Sequence, residues 1–164
     1  MQLQKRFFDC YLKGERNGWK REPRVWLNLR RPFTNEVELR KEHEWPLKGT
    51  KWTKLYLHAG GVGNLDWTAP KVNRPKTFRP LTRGVTWMSP PLKQEIEITG
   101  PMVAKLFISS STRDADLFVT VQAFSPQGRE VYFQGTVDPK TPLAQGWLRA
   151  SHRKLDPEKS MPWR

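Results

Sequence analysis

Three groups of residues in this chain have types and spacing that could do chemistry: Ser151-His152, the pair Asp114 and Asp116, and Gly60-Gly61-Val62-Gly63. A serine beside a histidine suggests a nucleophile with its base. Neighbours on a strand point to opposite faces, however, so the hydroxyl and imidazole are badly placed to meet. The pair reads as structural. Two carboxylates in D-A-D are of the kind calcium takes, but one such pair offers too few ligands. A turn role is expected there. The glycine cluster looks like a phosphate loop, yet no Lys-Ser/Thr follows it, which leaves a flexible loop. Trp45, Trp52, Trp67, Trp87 and Trp147 could stack on sugar rings, although core or inter-domain packing is the plainer use. Cys10 is the single cysteine, so neither an internal disulfide nor a cysteine-rich zinc site is available. No catalytic residue, cofactor or metal ligand is assigned to this chain.

The elements that would carry these residues follow from periodicity. Leu3, Phe7 and Tyr11 recur every four residues, and Phe8 and Leu12 widen the stripe, predicting a helix over Gln2–Lys13 with Gly14 as its cap. A lone helix of that length is marginal in water, so its aromatic face needs something to pack on. Glu15–Pro23 reads as a polar link. Val25–Arg30 alternates, with Val25, Leu27 and Leu29 on one face. Thr34–Glu44 is an edge strand or a loop, and Glu44–Leu47 enters a turn. Short strands are expected at Lys54–His58, Val85–Met88 and Gln94–Ile98, with no clear periodicity over Ala59–Lys76.

The stretch Ile96–Thr136 gives the firmest expectation. Met102–Ser109 is an apolar run, Leu117–Phe124 alternates strictly, and Arg129–Gln134 returns as a third strand. Ser109–Asp116 is polar, with side chains that bond nearby backbone. Ser125-Pro126-Gln127-Gly128 is a β-turn signature. Together they predict an antiparallel meander of two hairpins. Gly146–His152 is a last strand, and Asp156–Arg164 a loop. About eight short strands behind one helix argue for a sandwich or jelly roll.

At 164 residues one domain is the default, and the chain is long enough to bury a real core. Its net charge of +13 raises nucleic acid as a partner. The densest acid-free basic segment, Lys71–Arg83, is Pro-rich and comes with no helix-turn-helix, zinc-finger or RNP-type motif. A solvated basic surface is the reading, with non-specific attraction for polyanions. No signal-peptide pattern opens the chain, and no apolar run approaches a membrane span, so a cytoplasmic setting is expected.

The chain resembles part of an X-Pro dipeptidyl-peptidase or cocaine-esterase-type serine hydrolase. The resemblance rests on RFFDCYLKG (6–14) with NGW (17–19), EWPL (44–47), TKLYL (53–57), ITGPM (98–102), SSSTRDADLFVTVQAF (109–124) and GWLRASHRKLDPEKS (146–160). These segments occur in the family's order and span nearly the whole chain. The resemblance implies a mainly β fold, a jelly-roll (galactose-binding-like) β-sandwich with one short N-terminal helix, incomplete at its C-terminal end. Residues 1–22 would be the terminal helix and linker of a hydrolase domain, and 23–164 the jelly roll. The partner would be an α/β-hydrolase catalytic domain in cis, on which the jelly roll packs while bordering the substrate pocket. Phe7, Phe8 and Tyr11 would then be a domain interface.

The family's G-x-S-x-G nucleophile elbow is absent from these residues, and His43, His58 and His152 do not match its catalytic histidine. The parent reaction would be acyl transfer to water through a seryl intermediate, and the isolated chain is expected to be inactive. A fragment of such an enzyme is the first reading. A stand-alone jelly-roll module binding carbohydrate or protein is the alternative. Homo-oligomerisation is left open, and neither a membrane nor a specific nucleic-acid site is expected.

Overall fold

The computed structural model describes residues 2–34, 36–59 and 64–161. It is mostly β with one short N-terminal helix. The helix α1 spans Gln2–Leu12, one residue short of the expectation. It stops because Gly14 takes φ 70°, a left-handed cap that glycine enters without a Cβ penalty. The Asp9 carbonyl accepts from the amides of Lys13 (3.3 Å) and Glu15 (3.1 Å). The segment expected as a polar link contains a 3-10 turn, Trp19–Arg21. Asn17 ties that turn to the helix: its Nδ2 donates to the Arg6 carbonyl at 2.8 Å, and its Oδ1 accepts from the Trp19 amide at 3.1 Å.

The chain divides into two compact units, residues 1–48 with 100–164, and residues 49–99. In the first, β1 (Val25–Arg30) pairs antiparallel with β2 (Val37–Glu42), which settles the strand-or-loop alternative for that segment. Val25, Leu27 and Leu29 are half-buried on the face that the alternation assigns them. β5 (Asp116–Val121) pairs antiparallel with β8 (Ala144–Arg149), and β6 (Ala123–Phe124) with β7 (Glu130–Val131). The turn Ser125–Gly128 forms as its sequence demands, with the Gly128 amide on the Ser125 carbonyl at 2.9 Å. Two cation–π contacts join the hairpins. The Arg30 guanidinium lies 4.4 Å from the Phe133 ring centre, and that of Arg129 lies 3.8 Å from Phe33.

In the second unit, β3 (Tyr56–Leu57) pairs antiparallel with β4 (Leu65–Asp66). The strand expected at Lys54–His58 is thus reduced to two residues, and β4 arises inside the segment read as aperiodic. Val85–Met88 and Gln94–Ile98 do not form strands. Met88 makes only a parallel bridge to Asn64, with the Leu65 amide on its carbonyl at 3.1 Å. Pro90 and Pro91 follow after Ser89 and cannot donate to a ladder.

The predicted meander is corrected in three places. Met102–Ser109 makes no ladder, so the first hairpin is absent. The partner of β5 is instead β8, whose sequence offers six residues in continuous register. The alternating run 117–124 breaks at Gln122, whose side chain turns to Glu130 Oε1 at 2.9 Å. The third strand shortens to Glu130–Val131, with a further bridge from Phe133 to Thr141. The last strand starts earlier than expected and ends at Arg149, where Ala150–His152 turns into 3-10 geometry. Eight strands are therefore present among the described residues, but not the eight that periodicity picks. The core is thin: Val131 is the one buried hydrophobic side chain among the described residues.

Candidate functional site

The helix gathers the three predicted interface residues. Phe7 packs edge-on against Phe8 (centroids 5.1 Å apart), tilted against Tyr11 (4.9 Å) and edge-on against Trp19 (5.4 Å). Phe8, Tyr11 and Leu12 remain exposed beside Leu3. The polar side of the helix is internally satisfied. Buried Asp9 accepts from Lys13 Nζ at 2.7 Å and from Lys5 Nζ, and Arg6 pairs with Glu22 at 2.6 Å. The hydrogen bond from Lys13, then that from Lys5, holds the Asp9 carboxyl below the usual carboxylate range. The same pair raises the Lys13 ammonium above its ordinary value. α1 and the Trp19 turn thus form a self-consistent unit that presents an aromatic face. Cys10 lies half-buried on this helix.

Two of the polar residues singled out in the sequence, Asp114 and Ser151, meet in space. Asp114 Oδ1 accepts from the amides of Ala115 (2.9 Å) and Ser151 (3.0 Å), and its Oδ2 accepts from Ser151 Oγ at 2.5 Å. The Ala150 amide donates to the Ala115 carbonyl at 2.8 Å, one step beyond the β5–β8 ladder. Asp116 receives both Arg149 Nε (2.7 Å) and Nη2 (2.9 Å), a bidentate pair. The Ser151 hydroxyl, chiefly, lowers the Asp114 carboxyl, and the Arg149 guanidinium, chiefly, lowers Asp116. Asp116 in turn raises Arg149.

This arrangement is a clasp. It anchors the polar loop before β5 to the end of β8 and fixes their register. The Ser151 hydroxyl donates to Asp114, and Ser151 and His152 lie in the 3-10 turn after β8 rather than on the strand expected from the sequence. Asp114 does serve the turn, while Asp116 already begins the strand. Arg149 escaped sequence reasoning. The signal that could have found it is the opposite charge at matching distances from two aromatic strand residues, Asp116 before Phe118 and Arg149 after Trp147.

Trp45, Trp52, Trp67 and Trp147 are exposed, whereas Trp87 donates its indole N–H to the His58 carbonyl at 3.1 Å. Lys71 and Arg74 border an open cleft of about 430 Å³ with His58 and Asn64 in the 49–99 unit. The glycine cluster Gly60–Gly63 lies outside the described residues. Among the described residues there is no cluster of His, Cys, Asp and Glu able to hold a metal, and no helix long and apolar enough to cross a membrane.

The fold and the clasp define a β-rich module whose polar constellation sets strand register. The chain belongs to the family of the X-Pro dipeptidyl-peptidase C-terminal non-catalytic domain, whose profile matches residues 17–162. It is similar to cocaine esterase of Rhodococcus, 26% identical over 167 residues, covering 79% of this chain and 28% of that protein. It is also similar to a putative serine esterase of Mycobacterium bovis, 37% identical over 71 residues, covering 43% of this chain and 10% of that protein. Among solved structures it resembles a CocE/NonD family hydrolase from Staphylococcus aureus, with TM-score 0.65 and 26% identity over 99% of this chain and 30% of that one. The chain therefore spans less than a third of the length of each of these relatives.

Proposed function

We propose that the chain is the non-catalytic C-terminal domain of a serine hydrolase of the dipeptidyl-peptidase or esterase type. In this reading residues 1–22 are the closing helix and linker of the hydrolase domain, and 23–164 form a jelly-roll sandwich of galactose-binding-like type. The domain packs on the α/β-hydrolase body in cis, through Phe7, Phe8 and Tyr11, and borders the substrate pocket. A cytoplasmic setting suits it. The family match over 17–162 carries the reading, and the exposed aromatic face of α1 gives it a contact surface.

The chain contributes surface and support to the parent reaction, not a reacting group. Purified chain should not hydrolyse an X-Pro anilide or an aryl ester, and turnover abolished by a serine-directed inhibitor would contradict this. The packing claim is tested by truncating the S. aureus hydrolase to remove the part this chain matches and supplying the chain in trans. Binding is expected, and Phe8→Asp with Tyr11→Asp should abolish it. A complex indifferent to both substitutions would remove α1 from the interface.

A further inference from the structure

In the 49–99 unit, Pro70-Lys71-Val72-Asn73-Arg74 is followed at once by Pro75-Lys76-Thr77-Phe78-Arg79, two tandem copies of Pro-Lys-x-x-Arg. Each copy sets a lysine and an arginine three positions apart, and Arg83 adds another cation after Pro80. No acidic residue stands between Asp66 and Glu95. Residues 73–79 make no ladder, and 71–84 are exposed throughout. Pro70, Pro75 and Pro80 hold φ at about −65° and withhold amide donors, which keeps the segment out of a sheet. We infer that this segment is a track for the phosphate backbone of a single-stranded nucleic acid, bound without regard to base sequence. That role goes beyond support of a hydrolase body.

Charge selects the class of ligand. Among the described residues Arg6, Arg31, Arg40 and Arg149 each pair with a carboxylate, whereas Lys71, Arg74, Lys76, Arg79 and Arg83 pair with none. Ammonium and guanidinium groups donate hydrogen bonds and accept none, so the ligand must be anionic and rich in acceptors. Both copies are held beside β3. The first lines the open cleft of about 430 Å³, where Pro70, Lys71, Val72 and Arg74 meet His58 and Asn64. His58 Nε2 lies 2.8 Å from the Thr68 carbonyl, which fixes the entry to the track. In the second copy, Lys76 Nζ lies 6.0 Å from the centre of the Trp87 ring, whose indole N–H holds the His58 carbonyl at 3.1 Å. Thr82 Oγ1 donates to the Arg79 carbonyl at 2.7 Å and closes the far end in a turn. Spacing selects a polymer. Lys71 to Arg79 spans at most about 28 Å, so a compact anion reaches one copy and only a linear one follows both. Phe78 selects a single strand over an acidic peptide. It stands between Lys76 and Arg79, where the first copy has Asn73, and is 51% exposed. A ring set between phosphate-binding cations offers a stacking face to an unpaired base.

The test is titration of labelled oligo-dT of about 12 nucleotides with the full chain, followed by fluorescence anisotropy across a salt series. Binding with a Kd of about 10 μM is expected at roughly 50 mM KCl. Four cations on the strand's phosphates should give a slope of log K against log[salt] of about −2.8. Lys71→Ala with Arg74→Ala should weaken binding about tenfold and make the slope shallower by about 1.4, and Lys76→Ala with Arg79→Ala should do the same. Lys51→Ala with Lys93→Ala removes the same charge from the same unit outside the repeat, and should change the affinity by less than about twofold. Lys71→Arg with Lys76→Arg keeps the charges and should retain binding. Circular dichroism matching the wild type shows that each variant is folded.

No binding by about 1 mM chain at low salt would overturn the inference, as would an affinity indifferent to salt. So would equal losses from the Lys51/Lys93 and Lys71/Arg74 pairs, which would assign the attraction to the net charge of the whole chain. Poly-glutamate of equal charge that displaces oligo-dT as well as unlabelled oligo-dT does would reassign the track to acidic peptides. A duplex of the same length that binds more tightly, with Phe78→Ala leaving oligo-dT affinity unchanged, would remove the single strand as its ligand.

Discussion

Met102–Ser109 and Asp116–Val121 have similar claims to be strands, and only the second is one. Both alternate or run apolar, both are rich in residues that suit a pleated surface, and they lie a few residues apart. Asp116–Val121 finds β8, is locked at one end by Asp114–Ser151 and Asp116–Arg149, and shields Leu117 and Val119. Met102–Ser109 forms no ladder, and Met102, Val103, Leu106, Phe107 and Ile108 are exposed. A hydrophobic pattern qualifies a segment for pairing but does not supply the partner. The partner comes from elsewhere in the chain, together with side chains that pin the register.

The sharpest way to break this contrast is to remove one side chain from each kind of segment. Val131, in β7, is buried at 5% exposure, and Val131→Ala should cost about 2 kcal/mol from lost burial and the space left behind. Phe107 is fully exposed, so Phe107→Ala should change stability by no more than about 0.5 kcal/mol despite deleting a larger group. Urea unfolding of the two variants checks both. Equal losses would mean that the 102–109 run is covered in solution and that the contrast is wrong.

Local chemistry was legible in the sequence, and long-range pairing was not. The four-residue spacing of Leu3, Phe7 and Tyr11 marks α1 because helix periodicity is contained within a few turns. Ser125–Gly128 is equally local, since Pro and Gly fix the turn wherever its flanks go. Alternation at Val25–Leu29 assigns the half-buried face correctly. The pairing of β5 with β8 joins residues such as Asp116 and Arg149, 33 positions apart, with β6 and β7 between them. Nothing in either segment alone states that distance. The assumption that neighbouring strands pair in sequence order therefore chose 102–109 instead. Phe7, Phe8 and Tyr11 could be grouped from the sequence because they share one short helix. The clasp was missed because Asp114 and Ser151 meet only when the sheet forms.

The clasp itself can be dissected by exchange and by acid. Asp114→Ala removes three acceptor contacts at once, to Ala115, to the Ser151 amide and to its hydroxyl. Amides at 115–118 and 147–151 should then exchange severalfold faster, with those of β1 and β2 unaffected. Asp114 and Asp116 also set a pH dependence. Their folded carboxyls lie below the ordinary value of about 3.9, so their contribution is full above roughly pH 4. It is lost as pH falls through the lowered folded values. The urea midpoint should therefore drop below pH 4, and a D114N/D116N chain should show a shallower drop, with Asp9 supplying the remainder.

The smallest effect is expected from Arg149→Lys. A lysine keeps the charge opposite Asp116 but gives up the fork that engages both carboxylate oxygens. Because the pair is exposed, charge alone in that position is largely screened by water and salt. Exchange at 116–118 should rise less than in Asp114→Ala, and adding salt should change the wild type more than the variant's residual protection. A variant as damaged as Asp114→Ala would instead place the control of register in the guanidinium fork. The Ser151 contact would then be a consequence of correct pairing rather than its cause.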